Sequence, residues 1–84
     1  MTRYTVVWVE SAQGELADLW IASSNREAVT VAANAIDQDL AVDAESKGLA
    51  VSEGLRALFS PPLRILFTVR EADRVVEVLR AKIL

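Results

Sequence analysis

The apolar positions change period along the chain, and the changes mark its elements. Tyr4 to Val9 is a run of β-branched and aromatic residues and predicts a strand. Leu16, Leu19 and Trp20 follow at i, i+3, i+4, the stripe of a helix that Ser11 is placed to cap, with Glu15 and Asp18 off the stripe. Ser23-Ser24-Asn25 breaks that helix, and Ser24 with Glu27 three residues on has the form of a capping box. A second helix is predicted from about Asn25 to Val42, its stripe formed by Val29, Ala32, Ala33, Ile36 and Leu40. Residues 43–52 read as a loop around Gly48. Three strands are predicted beyond it: Leu55–Phe59, closed by Ser60-Pro61-Pro62; Leu63–Arg70; and Arg74–Ile83.

In the middle one of these strands Leu63, Ile65, Phe67 and Val69 alternate with Arg64, Leu66, Thr68 and Arg70. The last is read with Val75, Leu79, Ala81 and Ile83 on one face and Arg74, Val76, Val78, Arg80 and Lys82 on the other. That register puts Glu77 among apolar neighbours, which calls for a bulge or a different register. The order is β-α-α-β-β-β. It predicts a single α+β domain over residues 1–84, with a helical hairpin on one face of a small twisted antiparallel sheet. The other face is expected to gather Arg64, Arg70, Arg80 and Lys82 into a basic patch.

Composition narrows the chemistry. The 84 residues contain neither cysteine nor histidine, which removes disulfides, thiolate metal sites and the commonest general base. No apolar run approaches the roughly 20 residues of a membrane helix, and the N-terminus has no signal-peptide pattern, so the cytoplasm is the expected compartment. Charge is divided: residues 1–53 hold three basic and nine acidic groups, residues 54–84 six basic and three acidic. Such asymmetry predicts a face that meets an anionic partner. The acids at Asp37, Asp39, Asp43 and Glu45 lack the glycine pattern of a calcium loop and read as a solvated face, so no metal and no cofactor is expected. Trp8 and Trp20 each sit inside an apolar pattern and read as core residues.

Several stretches, in order, resemble the RelE/ParE superfamily, the toxins of bacterial type II toxin–antitoxin systems. They are the opening strand, Ala12 with Leu16-Ala17-Asp18-Leu19-Trp20, the alanine-rich second helix, and Glu53-Gly54-Leu55-Arg56-Ala57-Leu58. Pro62-Leu63-Arg64-Ile65-Leu66-Phe67-Thr68-Val69 and Asp73-Arg74-Val75-Val76-Glu77-Val78-Leu79-Arg80 complete them. The resemblance implies an α+β fold and a cognate antitoxin, which would dock in grooves beside the helical hairpin, over Leu16, Leu19 and Trp20. It implies one of two targets: DNA gyrase for ParE-like members, the ribosome and its mRNA for RelE-like ones. Arg56 and Arg64 match strand arginines whose counterparts contact RNA phosphate in the mRNA-cutting branch.

The same resemblance shows departures. Cutting members carry a basic residue, tyrosine or histidine just after the last strand, where this chain has Ile83 and Leu84, and its one tyrosine is Tyr4. Their lysine-rich loop corresponds to residues 43–53, which hold only Lys47. Cleavage needs a base for the 2′-hydroxyl, which Glu53 or Glu77 would have to supply, and cations for the developing phosphorane charge, a role open to Arg56 and Arg64. The ParE-like, non-nucleolytic mode is therefore the first expectation. The RelE-like endoribonuclease and a degenerate module that only binds or forms a homodimer stand as alternatives.

Overall fold

The structure is a computed structural model that describes residues 1–84. Strand β1 (Thr5–Trp8) leads into helix α1 (Glu10–Ala22) and helix α2 (Arg26–Leu40). A 3-10 turn at Ala44–Ser46 precedes β2 (Leu49–Ser52), β3 (Leu55–Ser60), β4 (Leu63–Arg70) and β5 (Val75–Ile83). The strands form one five-stranded sheet in the order β1-β5-β4-β3-β2. This is the expected α+β architecture with two differences. The segment read as a loop contains a fifth strand, β2, and β1 pairs parallel to β5, so the sheet is mixed.

The core lies between the helices and one sheet face. Val29, Ala32, Ile36 and Leu40 of α2 pack with Leu63, Ile65, Phe67, Val76, Val78 and Ala81, all essentially inaccessible. Both periodicities predicted this set, except in β5. There a bulge intervenes: Leu66 faces Arg80 but Phe67 faces Val78, so Leu79 is the extra residue. The bulge switches the buried set from Val76 and Val78 to Ala81. It also places Glu77 opposite Thr68, on the uncovered face, where it meets Arg70 at 3.1 Å.

The helix starts also differ from the sequence reading. α1 opens at Glu10 behind Val9, with Ser11 inside the helix and no side-chain cap. α2 is capped by Asn25, whose side chain accepts from the Ala28 backbone N–H at 3.1 Å, rather than by Ser24. α2 ends at Leu40, because residues 41–43 turn to pair with the N-terminal segment: Tyr4 N–H donates to the Ala41 carbonyl at 2.8 Å and Asp43 N–H to that of Thr2 at 2.7 Å. Tyr4 then locks this end. Its buried hydroxyl meets the carboxylates of Glu45 and Glu71, the latter at 2.9 Å, and the Arg74 guanidinium stands 5.8 Å over its ring. Burial, then the two carboxylates, push its phenol well above the ordinary value, so it remains neutral at physiological pH. No helix is long and apolar enough to cross a membrane.

Candidate functional site

Two surfaces gather the residues singled out by the sequence. The first is a groove between the helices. α1 and α2 are joined by only three residues, Ser23–Asn25, and diverge over a cleft of about 680 Å³. Leu16, Ala17, Trp20 and Ile21 line it from α1, Val29, Thr30, Ala33 and Asp37 from α2, and Trp8 closes one end. Trp8 is half-buried and packs against the core as expected while also bordering the cleft; Trp20 is not a core residue. Trp20 is 41% exposed, its indole N–H donates to Thr30 Oγ1 at 3.1 Å, and the Arg26 guanidinium lies 4.8 Å from its ring. The Trp8 indole N–H donates to Asp37 Oδ1 at 2.6 Å. Polar tips are thus satisfied while the ring faces stay open to the cleft, the form of a surface that accepts an apolar partner.

Of the three docking residues implied by the resemblance, Leu16 and Trp20 share this groove. Leu19 lines a second cavity, of about 610 Å³, with Ala28, Pro61, Pro62 and Ile83. Ile21, 62% exposed, and Asp37 belong to the first groove and were missed in the sequence. Ile21 follows the Leu16–Leu19–Trp20 stripe, a signal that the groove extends to the end of α1.

The second surface is the uncovered sheet face. Arg64 stands directly across from Lys82, and Arg80 is one row along, opposite Leu66; these four line a shallow cavity of about 250 Å³. Arg70 lies elsewhere. It is six residues further along β4, about 20 Å at strand rise, and is paired with Glu77. Arg56 is not on this face at all. It opposes Phe67, three residues from Arg64, and therefore points to the helix side. Its Nε and Nη2 donate to the carbonyls of Lys47 and Gly48, at 2.8 and 3.2 Å, so it fastens the loop ahead of β2. Glu53 sits exposed in the β2–β3 turn, at the end of β3 remote from Arg64. Arg56, Arg64 and Glu53 are thus three separate residues.

The basic face carries its own counter-charge. Glu15 of α1 reaches β5 where β1 has ended, accepts from the Ala81 backbone N–H at 3.0 Å, and pairs with Arg80 at 3.0 Å and Lys82 at 3.3 Å. It covers an edge N–H that no strand reaches. The hydrogen bond from Arg80, then that from Ala81, hold its carboxyl down at about 2 against an ordinary value of 4.5. A depressed carboxylate stabilises the fold above its unfolded value and stops doing so as pH falls through its folded one. The contribution of Glu15 is therefore complete above about pH 5 and is lost between about pH 4.5 and 2. Thermal melting followed by circular dichroism across that window is expected to show a fall in Tm that is smaller in Glu15→Gln. Parallel profiles for the two proteins would contradict it. Arg64 has no ion-pair partner and is the one basic group of the cavity left to an external anion. No cluster of three or more potential metal ligands is present.

Two helices on one face of a five-stranded mixed sheet define the class of α+β fold. No family model matches the chain, and no curated protein matches it. Solved structures do. The toxin–antitoxin complex RelBE2 from Mycobacterium tuberculosis aligns with a TM-score of 0.81 at 18% identity, over 100% of this chain and 94% of that one. The chromosomal ParDE system from P. aeruginosa aligns at 0.70 and 17%, over 98% and 97%. An archaeal RelE–RelB complex from Pyrococcus horikoshii aligns at 0.65 and 14%, over 98% and 96%. The chain shares its overall fold with these three structures.

Proposed function

We propose that the chain is the toxin of a type II toxin–antitoxin pair, acting in the cytoplasm and held inactive by an antitoxin docked in the groove between α1 and α2. The observation that carries this reading is the groove. It is apolar, open and flanked by two indoles on a fold whose solved counterparts come from toxin–antitoxin complexes. A segment with apolar side chains on one face would bury Leu16, Trp20 and Ile21, while a basic residue on it would find Asp37 at the Trp8 end.

Within this class the ParE-like mode, with DNA gyrase as target, is favoured. Arg56 and Arg64 point to opposite sheet faces, and Arg80 and Lys82 are already paired to Glu15, which leaves the chemistry of strand cleavage without an assembled set of groups. Ribosome-dependent mRNA cleavage is the second reading, and unpaired Arg64 beside Lys82 is what favours it.

Induction of the chain alone is expected to arrest bacterial growth, and co-expression of the open reading frame beside its gene to relieve the arrest. Growth at the uninduced rate would refute the toxin reading. Transcripts that stay intact during arrest support the ParE-like mode; cuts in translated mRNA that disappear in Arg64→Ala would replace it by the second reading.

A further inference from the structure

Strand β2 is an edge with unusual properties. It pairs only with β3, all four of its residues are exposed, and its sequence is Leu-Ala-Val-Ser. Leu49 and Val51 are 65% and 56% accessible, and Phe59 adds 47% on the same uncovered face as Leu49. Edge strands that stay single are guarded by charge, proline, cover, short length or a bulge. β2 is short and has a bulge between Ala50 and Ser52, but it carries no charge or proline within Leu49–Ser52 and nothing covers it; the bulge leaves Val51 without a partner on β3.

The chemistry around this edge is symmetric. From Lys47 to Glu53 the chain reads Lys-Gly-Leu-Ala-Val-Ser-Glu. If a second copy pairs antiparallel about a two-fold axis at Ala50, Leu49 of each copy faces Val51 of the other, Gly48 faces Ser52, and Lys47 lies alongside Glu53. The axis generates two apolar pairs and two opposite-charge pairs, with no like charges opposed. Sliding the register by two residues brings Lys47 or Glu53 against apolar Leu49 or Val51, so the charges also fix the alignment. The Lys47 side chain is available for this, because Arg56 holds only its carbonyl.

We propose that β2 is a self-association edge: two copies of this chain join antiparallel through Leu49–Ser52, extending the sheets across a two-fold axis and clamped by reciprocal Lys47–Glu53 pairs. Four residues a side bury far less than a standard interface, so the dimer is weak and concentration-dependent, in the micromolar-to-millimolar range. It leaves the groove between α1 and α2 open, so it is independent of the antitoxin reading.

Sedimentation equilibrium over a concentration series tests it. The unmodified chain is expected to move from monomer to dimer. Lys47→Glu and Glu53→Lys should each weaken association roughly tenfold or more, since each turns two attractive pairs into two repulsive ones. The double exchange should restore it. An equimolar mixture of the two single variants should also restore it, because every charge pair in the mixed dimer again joins acid to base. Glu53 is exposed and Lys47 half-buried, and unchanged thermal melting identifies variants that still fold. A monomer at every concentration, or a dimer indifferent to both single changes, would overturn the proposal.

Discussion

Replacement of Gly48 by alanine is expected to cost about 3 kcal/mol, the sum of a left-handed backbone penalty of about 1–2 and an overpacking term of similar size. Gly48 has φ +71°, and an added Cβ would stand 2.4 Å from the Ala57 carbonyl oxygen and 3.1 Å from the Phe67 ring. Neither neighbour gives way easily: one is backbone in a ladder and the other is fully buried at the centre of the core. The displaced loop would also loosen the two hydrogen bonds by which Arg56 holds Lys47 and Gly48. In a domain of this size a loss of that order lowers Tm by about 12–24 °C, out of a total stability of about 4–12 kcal/mol. Gly54 is the control. Its φ is +76° but nothing lies within 4 Å of the added carbon, so Gly54→Ala should cost only the backbone penalty of about 1–2 kcal/mol. Equal shifts for the two variants, measured by urea or thermal unfolding, would contradict the close-approach account of Gly48.

Much of this architecture is legible in the chain, and the exceptions have identifiable causes. The α2 stripe and the β4 alternation name their buried residues correctly because both elements are regular and have one wet side. β5 misleads because the bulge at Leu79 breaks the period of two on which the reading depends. β2 is missed because a strand exposed on both faces has no alternation to show. The α2 cap moves by one residue because Ser24 and Asn25 offer equivalent acceptors, and the backbone decides between them. The parallel pairing of β1 with β5 is set by topology rather than by any local pattern.

The site divides in the same way. Arg64, Arg80 and Lys82 do share a face, as strand parity implies. What cannot be read is that Glu15, 65 residues from Arg80, already occupies two of the three. Arg56 looks equivalent to Arg64 in sequence, yet it is eight positions earlier across a turn, and the β3–β4 register sends it to the opposite side. Trp20 misleads differently. An indole in an apolar stripe fits a core or a groove wall equally well, and only the divergence of α1 from α2 distinguishes them.

The second large effect concerns that groove. Ile21 lies at its α1 end and is mostly exposed, so Ile21→Glu should leave the fold intact while placing a carboxylate where an apolar partner must seat. Burying a carboxylate in an apolar interface is expected to weaken binding by about 100-fold. Arg64→Glu, a charge change of comparable severity on the sheet face, should leave docking in the helical groove far less affected. Isothermal calorimetry with the product of the adjacent open reading frame separates the two surfaces. Tight binding by the unmodified chain, near-complete loss in Ile21→Glu and retention in Arg64→Glu are expected. Binding by Ile21→Glu as tight as that of the unmodified chain would contradict docking in the helical groove.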